Sequence, residues 1–140
     1  MAGLRQLVER LLRKFAGPVY RMLQRRSGQR LAKRFGTAEE RFRHIYETNH
    51  WNHAESVSGP GSSLEETGPI RRELPMLLKE LGATSLLDLP CGDFHWMQHT
   101  DLAGIDYIGG DLVGELIERN QAGHARGGVS FRKLDLIHDT

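Results

Sequence analysis

The stretch 86–94, with the sequence LLDLPCGDF, constrains the fold more than any other part of this chain. Its apolar start predicts a buried strand, and the proline, cysteine and glycine that follow predict a tight turn. Asp88 and Asp93 stand on either side of that turn. Because small residues let backbone amides and a carboxylate approach a ligand closely, the stretch predicts a turn that can bind a nucleotide-like molecule.

Two later strands also lead to an acidic residue. The first ends at Asp111, 23 residues after Asp88, and the second leads to Asp135. Ligands of open α/β sheets bind at the carboxyl ends of the strands, which meet at one edge. The sequence therefore predicts a site at which three carboxylates lie along that edge.

Strands and helices alternate in the second half of the chain. We predict strands over 85–89, 106–110 and 129–134, a short helical turn over 94–99 and a helix over 112–122. This alternation is typical of an α/β fold with a parallel sheet and right-handed crossovers. A doubly wound sheet has about five to seven strands, so we expect a sheet truncated after its third. We therefore expect the 140-residue chain alone to be marginally stable, to oligomerise or to be a gene remnant.

Two capping boxes mark helices upstream of the first strand. Thr37 and Glu40 predict a helix over about 38–48, and a box that begins at Ser63 predicts a second helix that ends near Gly82. Pro75 lies inside the second pattern, which predicts either a kink or two abutting helices. The intervening segment lacks periodicity and is predicted to be a loop.

The N-terminal arm differs chemically from the rest of the chain. Residues 1–34 carry ten Lys and Arg against one acidic residue, which leaves nine basic and seventeen acidic residues elsewhere. The apolar rhythm over 3–16 predicts an amphipathic helix. We divide the chain into a basic helical extension, 1–36, and a domain, 37–140. The arm is open to four interpretations: a packed or solvated extension, contact with an anionic membrane, contact with nucleic acid, or a transit peptide.

Composition limits the cellular compartment and the kinds of site that this chain can have. Cys91 is the single cysteine, which excludes an internal disulfide framework and favours a reducing compartment such as the cytoplasm, with peripheral membrane contact through the arm as a variant. No run approaches the roughly 20 apolar residues of a membrane span. The pairs His50/His53 and His95/His99 have metal-like spacing, but the first lies in a predicted loop, and we expect no metal site.

The turn itself indicates which ligands it suits. It lacks the glycine pattern that brings a pyrophosphate to a helix N-terminus, and Asp93 would repel a phosphate there. A carboxylate suits a ligand with a cationic ammonium or sulfonium, to which Phe94, Trp96 and Trp51 would add aromatic faces. This argues against NAD and ATP and for a positively charged nucleoside.

These residues carry a specific resemblance. The run DLPCGD at 88–93, followed by Asp111 and Asp135, is similar to the motifs of class I S-adenosylmethionine-dependent methyltransferases, over about 64–140. The segments upstream, 42–47 and 55–62, resemble part of one bacterial branch. The resemblance implies a Rossmann-like sheet, S-adenosyl-L-methionine as the cofactor, and methyl transfer to an acceptor that the sequence does not identify.

The resemblance also implies residue roles. Gly92 and Asp88 would approach the amino-acid end of the cofactor, Asp111 the ribose hydroxyls and Asp135 the adenine amino group, under a loop spanning 51–63. No catalytic base is assigned. The candidate cofactor-binding residues are Asp88, Pro90, Cys91, Gly92, Asp93, Asp111, Leu112, Asp135, Leu136, Trp51, Ser58 and Gly59.

Other interpretations stay open on the sequence. The chain could be a non-catalytic nucleoside-binding or interaction module that works through its basic arm. It could also be a fragment of a nicotinamide-dependent oxidoreductase, which shares the acid after the second strand. Asp88 could merely cap the next turn, Asp111 could be a helix N-cap, and Cys91 could be a small filler or a nucleophile.

Overall fold

The computed structural model describes residues 31–139 of the chain, which divides into two compact units, 1–41 and 42–140. The predicted helix over 3–16 and most of the basic arm lie outside the described residues. In the first unit, the described part holds helical residues 31–34 and the start of a second helix.

That second helix, α1, spans Ala38–Glu47. Its start confirms the predicted capping box: the Glu40 amide donates to Thr37 Oγ1 at 3.1 Å, and the Thr37 amide donates to Glu40 Oε2 at 3.1 Å. The reciprocal bonds satisfy amides that would otherwise lack partners at the start of the helix.

The second unit contains a three-stranded parallel sheet in the order β1-β2-β3. The α/β class and the parallel sheet are therefore confirmed. The elements, in chain order, are a 3-10 turn at Pro60–Ser62, α2 at Gly68–Glu80, β1 at Ser85–Asp88, a 3-10 turn at Met97–His99, β2 at Asp106–Asp111, α3 at Gly114–His124 and β3 at Val129–Lys133.

The strand ends place acidic residues at one edge of the sheet. Asp88 is the last residue of β1 and lies opposite Gly109, whereas Asp111 is the last residue of β2 and lies opposite Lys133. Asp135 follows two residues after β3 ends. Because all three strands run the same way, Asp88 and Asp111 lie at the carboxyl ends of neighbouring strands and Asp135 lies just beyond the third, as predicted.

One face of the sheet supports the core. Phe94, Tyr107 and Phe131 form an aromatic cluster in which the Phe94 ring centroid lies 5.1 Å from that of Tyr107 and 5.0 Å from that of Phe131. Helix α3 lies against β2 and β3 and adds Ile117 to this cluster. Leu87 on β1, by contrast, is 58% exposed. The buried core therefore sits on the face that carries the aromatic residues.

Helix α2 is continuous through Pro75, so the predicted alternative of two abutting helices is wrong. Proline lacks an amide hydrogen, and the helix continues with one backbone bond missing. The predicted stop is confirmed: Gly82 has φ +62°, its amide donates to the Lys79 carbonyl, and the Ala83 amide donates to the Leu78 carbonyl. These two bonds form a Schellman motif, which satisfies carbonyls at the helix end.

The start of α2 differs from the prediction. The Glu66 amide does donate to Ser63 Oγ at 3.2 Å, as a capping box requires. The helix nevertheless begins only at Gly68, with Thr67 as its N-cap. The box at Ser63 therefore closes a turn ahead of the helix rather than the first turn of the helix itself.

Helix α3 also departs from its predicted bounds. It begins at Gly114 rather than at 112, whereas its end at His124 agrees with the predicted end near Gly123. Val113 is its N-cap, with an extended backbone. The prediction that Asp111 could be the N-cap is therefore wrong. Asp111 still belongs to β2, and its carboxylate accepts from the amide of Val113, the residue that precedes the helix.

Candidate functional site

The Asp111 carboxylate ties together two turns at the edge of the sheet. Its Oδ2 accepts a hydrogen bond from the Gly92 amide at 3.2 Å, and its Oδ1 accepts one from the Val113 amide at 3.1 Å. The Cys91 amide donates to the Gly110 carbonyl at 2.7 Å, which draws the same turn onto β2. Asp111 is buried. A carboxylate has about four lone-pair sites, so two are left for further donors.

Asp88 stands near Asp111 and is held by a phenol. The Tyr107 hydroxyl donates to Asp88 Oδ2 at 2.7 Å. Burial raises the pKa of Asp88; this hydrogen bond opposes the shift, and the nearby charge of Asp111 adds to it. Burial also raises the pKa of Tyr107, so the phenol keeps the proton that it donates. Asp88 is thus a partly buried acceptor at the edge.

Asp93 fastens a distant segment to the turn. We call residues 56–58 the strap. Asp93 accepts hydrogen bonds from Ser56 Oγ at 3.0 Å, from the Val57 amide at 2.9 Å and from Ser58 Oγ at 3.1 Å, and its own amide donates to Ser58 Oγ at 3.1 Å. The expectation that this carboxylate faces a cationic ligand is therefore corrected, because the strap occupies its oxygens.

The close approach of the strap requires a glycine on the turn. Gly92 has φ +57°, and a Cβ built there would collide with the Ser58 hydroxyl. Gly59 has φ +102°, and its Cβ would lie 3.1 Å from the Trp51 ring. The structure therefore brings the predicted residue Ser58 onto the turn and packs the predicted pair Gly59 and Trp51 against each other.

The aromatic residues near the turn are mostly committed to packing. Phe94 is buried in the core, and Trp96 packs against that core. Trp51 meets the His50 ring edge to face, with centroids 5.1 Å apart. The expectation that Phe94 adds an aromatic face to a cationic ligand is wrong, because its ring is packed on the aromatic cluster of the sheet.

Cys91 fills space beneath the turn. The residue is buried, and burial, with the charges of Asp111 and Asp88, raises the pKa of its thiol to about 12. A buried thiol of that pKa holds almost no thiolate at neutral pH, which favours the filler interpretation over the nucleophile interpretation. Asn120 lies beside it and donates from Nδ2 to the Gly92 carbonyl at 2.8 Å.

The end of β3 is organised differently. Asp135 Oδ1 accepts from the Ile137 amide at 2.9 Å, and Asp135 Oδ2 lies 2.7 Å from His138 Nδ1. The hydrogen bond to His138, followed by that to Ile137, lowers the pKa of Asp135. Leu136 is exposed. Within residues 31–139, the hydrogen bonds of Asp135 stay local, so the structure does not join it to the Asp111 turn.

Several residues that organise this site escaped sequence reasoning. They are Ser56, Val57, Tyr107 and Asn120. Asn120 had a usable signal, because it follows Leu116 and Ile117 on the buried side of α3. The strap had none, since its partner lies more than thirty residues away in the sequence. Of the remaining candidates, Pro90 is exposed and Leu112 is half-buried.

The described part of the chain offers neither a metal centre nor a membrane span. No group of three or more His, Cys, Asp or Glu among residues 31–139 is arranged to hold a metal ion. In the same range, no helix combines the length and the apolar character needed to cross a membrane.

Comparison with protein-family models, with curated proteins and with solved structures finds no significant match to this chain. The site therefore has to be interpreted from its own geometry.

Proposed function

We propose that this chain is the cofactor-binding part of an S-adenosylmethionine-dependent methyltransferase with a Rossmann-like sheet. The observation that carries the proposal is the Asp111 carboxylate, which lies at the carboxyl end of the central strand and holds the Gly92 turn at the end of β1. Ligands of open parallel sheets bind at this edge. A nucleoside cofactor needs carboxylate acceptors for its hydroxyl and amino groups, and Asp88 and Asp111 supply them.

The hydrogen bonds of the turn favour this cofactor over a dinucleotide. A pyrophosphate requires free backbone amides at the start of a helix. Here the Gly92 amide donates to Asp111 and the Asp93 amide donates to Ser58. Both donors are already used, and two carboxylates stand beside them. These features support a cofactor without phosphate groups, as the resemblance of the sequence also suggests.

The residues of this chain would then act by binding and orientation. S-adenosyl-L-methionine supplies the methyl group on its sulfonium, and transfer is a single in-line displacement. Asp111 would use its two remaining lone-pair sites for ribose hydroxyls, and Asp88 would accept from the amino-acid end. The turn, held to β2 by the Cys91 amide, keeps these acceptors in place, and such positioning is the main contribution of a protein to a displacement.

Calorimetric titration with S-adenosylhomocysteine, the demethylated product, tests the proposal. We expect saturable heat from the 140-residue chain, and we expect its loss in Asp111→Asn. Asp106→Asn is the matched control, because Asp106 is an exposed residue at the opposite end of the same strand. Circular dichroism of both variants shows whether the fold is kept.

The outcomes separate the alternatives. Loss of heat in Asp111→Asn with retention in Asp106→Asn supports a site at the carboxyl ends of β1 and β2, which we call the Asp111 edge. Saturable heat with NAD in place of S-adenosylhomocysteine would favour the oxidoreductase interpretation. Absence of heat from the wild-type chain with either ligand would overturn the proposal for these 140 residues.

A further inference from the structure

A cavity lies beside the turn, and the acids at the strand ends do not line it. Its volume is about 310 Å³, and it is bounded by the loop around residues 49–57, the segment 93–98 and the last turns of α3. We call it the histidine cavity. The charged and titratable residues that face it are His53, Glu55, Asp93, His95, Arg119 and His124.

Both carboxylates of the histidine cavity already have partners within the protein. Asp93 receives three hydrogen bonds from the strap. Glu55 Oε2 accepts from the Leu64 amide at 3.0 Å and lies 3.4 Å from His95 Nε2. The Leu64 bond is the main reason that the pKa of Glu55 is lowered, so this carboxylate stays charged and turned toward the protein.

The basic residues of the histidine cavity are only partly matched: His95 lies beside Glu55, and the charge of His53 also helps to lower the pKa of that carboxyl. Arg119 is exposed and, among the residues that the structure describes, forms no hydrogen bond or ion pair. His53 Nδ1 is buried without a hydrogen-bond partner in that part of the chain. His124 packs its ring 5.3 Å from the Phe94 ring, which holds it at the wall of the cavity. A buried ring nitrogen without a partner and an arginine without an ion pair, both beside a cavity, point to a ligand that can bond to them.

We propose that the histidine cavity binds a small molecule through an oxyanion, either a carboxylate or a phosphate, held by Arg119 with the imidazoles of His53 and His124. The guanidinium presents several N–H donors in a fixed plane that matches both groups. Ligand cavities span about 300–1,000 Å³, so this one accepts a small ligand. The proposal does not depend on the methyltransferase function, because no residue of the Asp111 edge takes part.

Titration with inorganic phosphate and with acetate, at constant ionic strength, tests the proposal. The measurement is the chemical shift of the histidine ring nitrogens and protons by NMR. We expect saturable shifts for His53 and His124 with at least one of the two probes, and the probe that binds more tightly identifies the oxyanion.

Variants of opposite expected sign make the test specific. Arg119→Gln removes the charged donor and is expected to weaken binding about tenfold or more. Glu55→Gln removes a negative charge from the wall and is expected to tighten it about threefold. Arg126→Gln is the matched control, since Arg126 is exposed just beyond the same helix and does not line the cavity. Absence of saturable shifts with both probes, or equal weakening by Arg119→Gln and Arg126→Gln, would overturn the proposal.

Discussion

The ends of β1 and β2 differ from the end of β3 in what their carboxylates hold. Asp111 binds the Gly92 turn, which follows another strand, and Asp88 binds Tyr107 on the neighbouring strand. Asp135 binds only the residues that immediately follow it, among those described. An acid after a strand is therefore one sequence pattern with two structural outcomes.

The difference teaches that burial decides which outcome occurs. Asp111 is 7% exposed, and a buried carboxylate must find donors wherever the fold provides them. The side chain of Asp135 is 27% exposed and can satisfy itself with water and local amides. We therefore expect substitutions at the ends of β1 and β2 to affect the whole unit 42–140. Substitutions at the end of β3 should have only local effects.

The largest expected contrast between the two regions is in thiol reactivity. The pKa of Cys91 is raised from 9.0 to about 12. At pH 8 its thiolate fraction is therefore about 1,000-fold lower than that of a thiol with the ordinary pKa. The comparison is the thiol introduced by Ile137→Cys in a Cys91→Ala background, at a position that is 75% exposed. Alkylation rates under native conditions measure the contrast, and we expect a much slower rate at position 91 than at position 137. Comparable rates would show that reagents reach the buried thiol at the end of β1.

The largest expected loss of stability is in Asp93→Ala. The change leaves Ser56 Oγ and the Val57 amide without their acceptor, and we expect a loss of about 3 kcal/mol of unfolding free energy. Urea denaturation measures it. Asp101→Ala is the matched control, because Asp101 is exposed and its carboxylate accepts only from the nearby Ala103 amide in the described structure. Equal losses would mean that the strap adds nothing to stability.

Tyr107→Phe is expected to have a smaller effect, and one that depends on pH. The variant removes the donor to Asp88, and we expect a cost of about 1–2 kcal/mol at pH 7. Since the pKa of Asp88 is raised in the folded state, stability falls as the pH rises from the unfolded pKa through the folded one. Without the phenol that pKa rises further, so the cost should be larger at pH 7 than at pH 4. Denaturation at both values checks this, and a larger cost at pH 4 would contradict it.

The smallest expected effect is in His138→Ala at the end of β3. The hydrogen bond to His138 lowers the pKa of Asp135, so its stabilising contribution is present above the ordinary pKa and is lost as the pH falls through the lowered one. In the variant, the pKa of Asp135 should rise toward its ordinary value, as followed by NMR of its carboxyl carbon. The urea midpoint at pH 7 should stay within error of the wild type, and a clear drop would erase the contrast between the regions.

The sequence was sufficient to predict the elements with strong local signals. The capping box at Thr37, the stop at Gly82 and the three strands follow from local chemistry, and the structure has each of them. The start of α3 was misplaced because Asp111 looks like an N-cap, whereas its carboxylate is used for the Gly92 turn. A local pattern cannot weigh that distant partner.

Site geometry was less predictable for the same reason. The residues around Asp93 were expected to leave its carboxylate free for a ligand, but the strap is bound there. The contact depends on how the loop before α2 folds back, which no short spacing encodes. The buried position of Phe94 was also missed, because a residue in a turn is ordinarily exposed.

The backbone of Phe94 links the turn to the core in a way that limits substitution. Its φ is +56°, a left-handed value that costs a residue other than glycine of order 1–3 kcal/mol. Burial of its ring is worth about 1.5–3 kcal/mol, which offsets that cost. Glycine at this position would relieve the backbone but leave a cavity, and a β-branched residue would increase the strain. Few residue types satisfy both demands, so position 94 is expected to be among the least tolerant in a complete mutational scan.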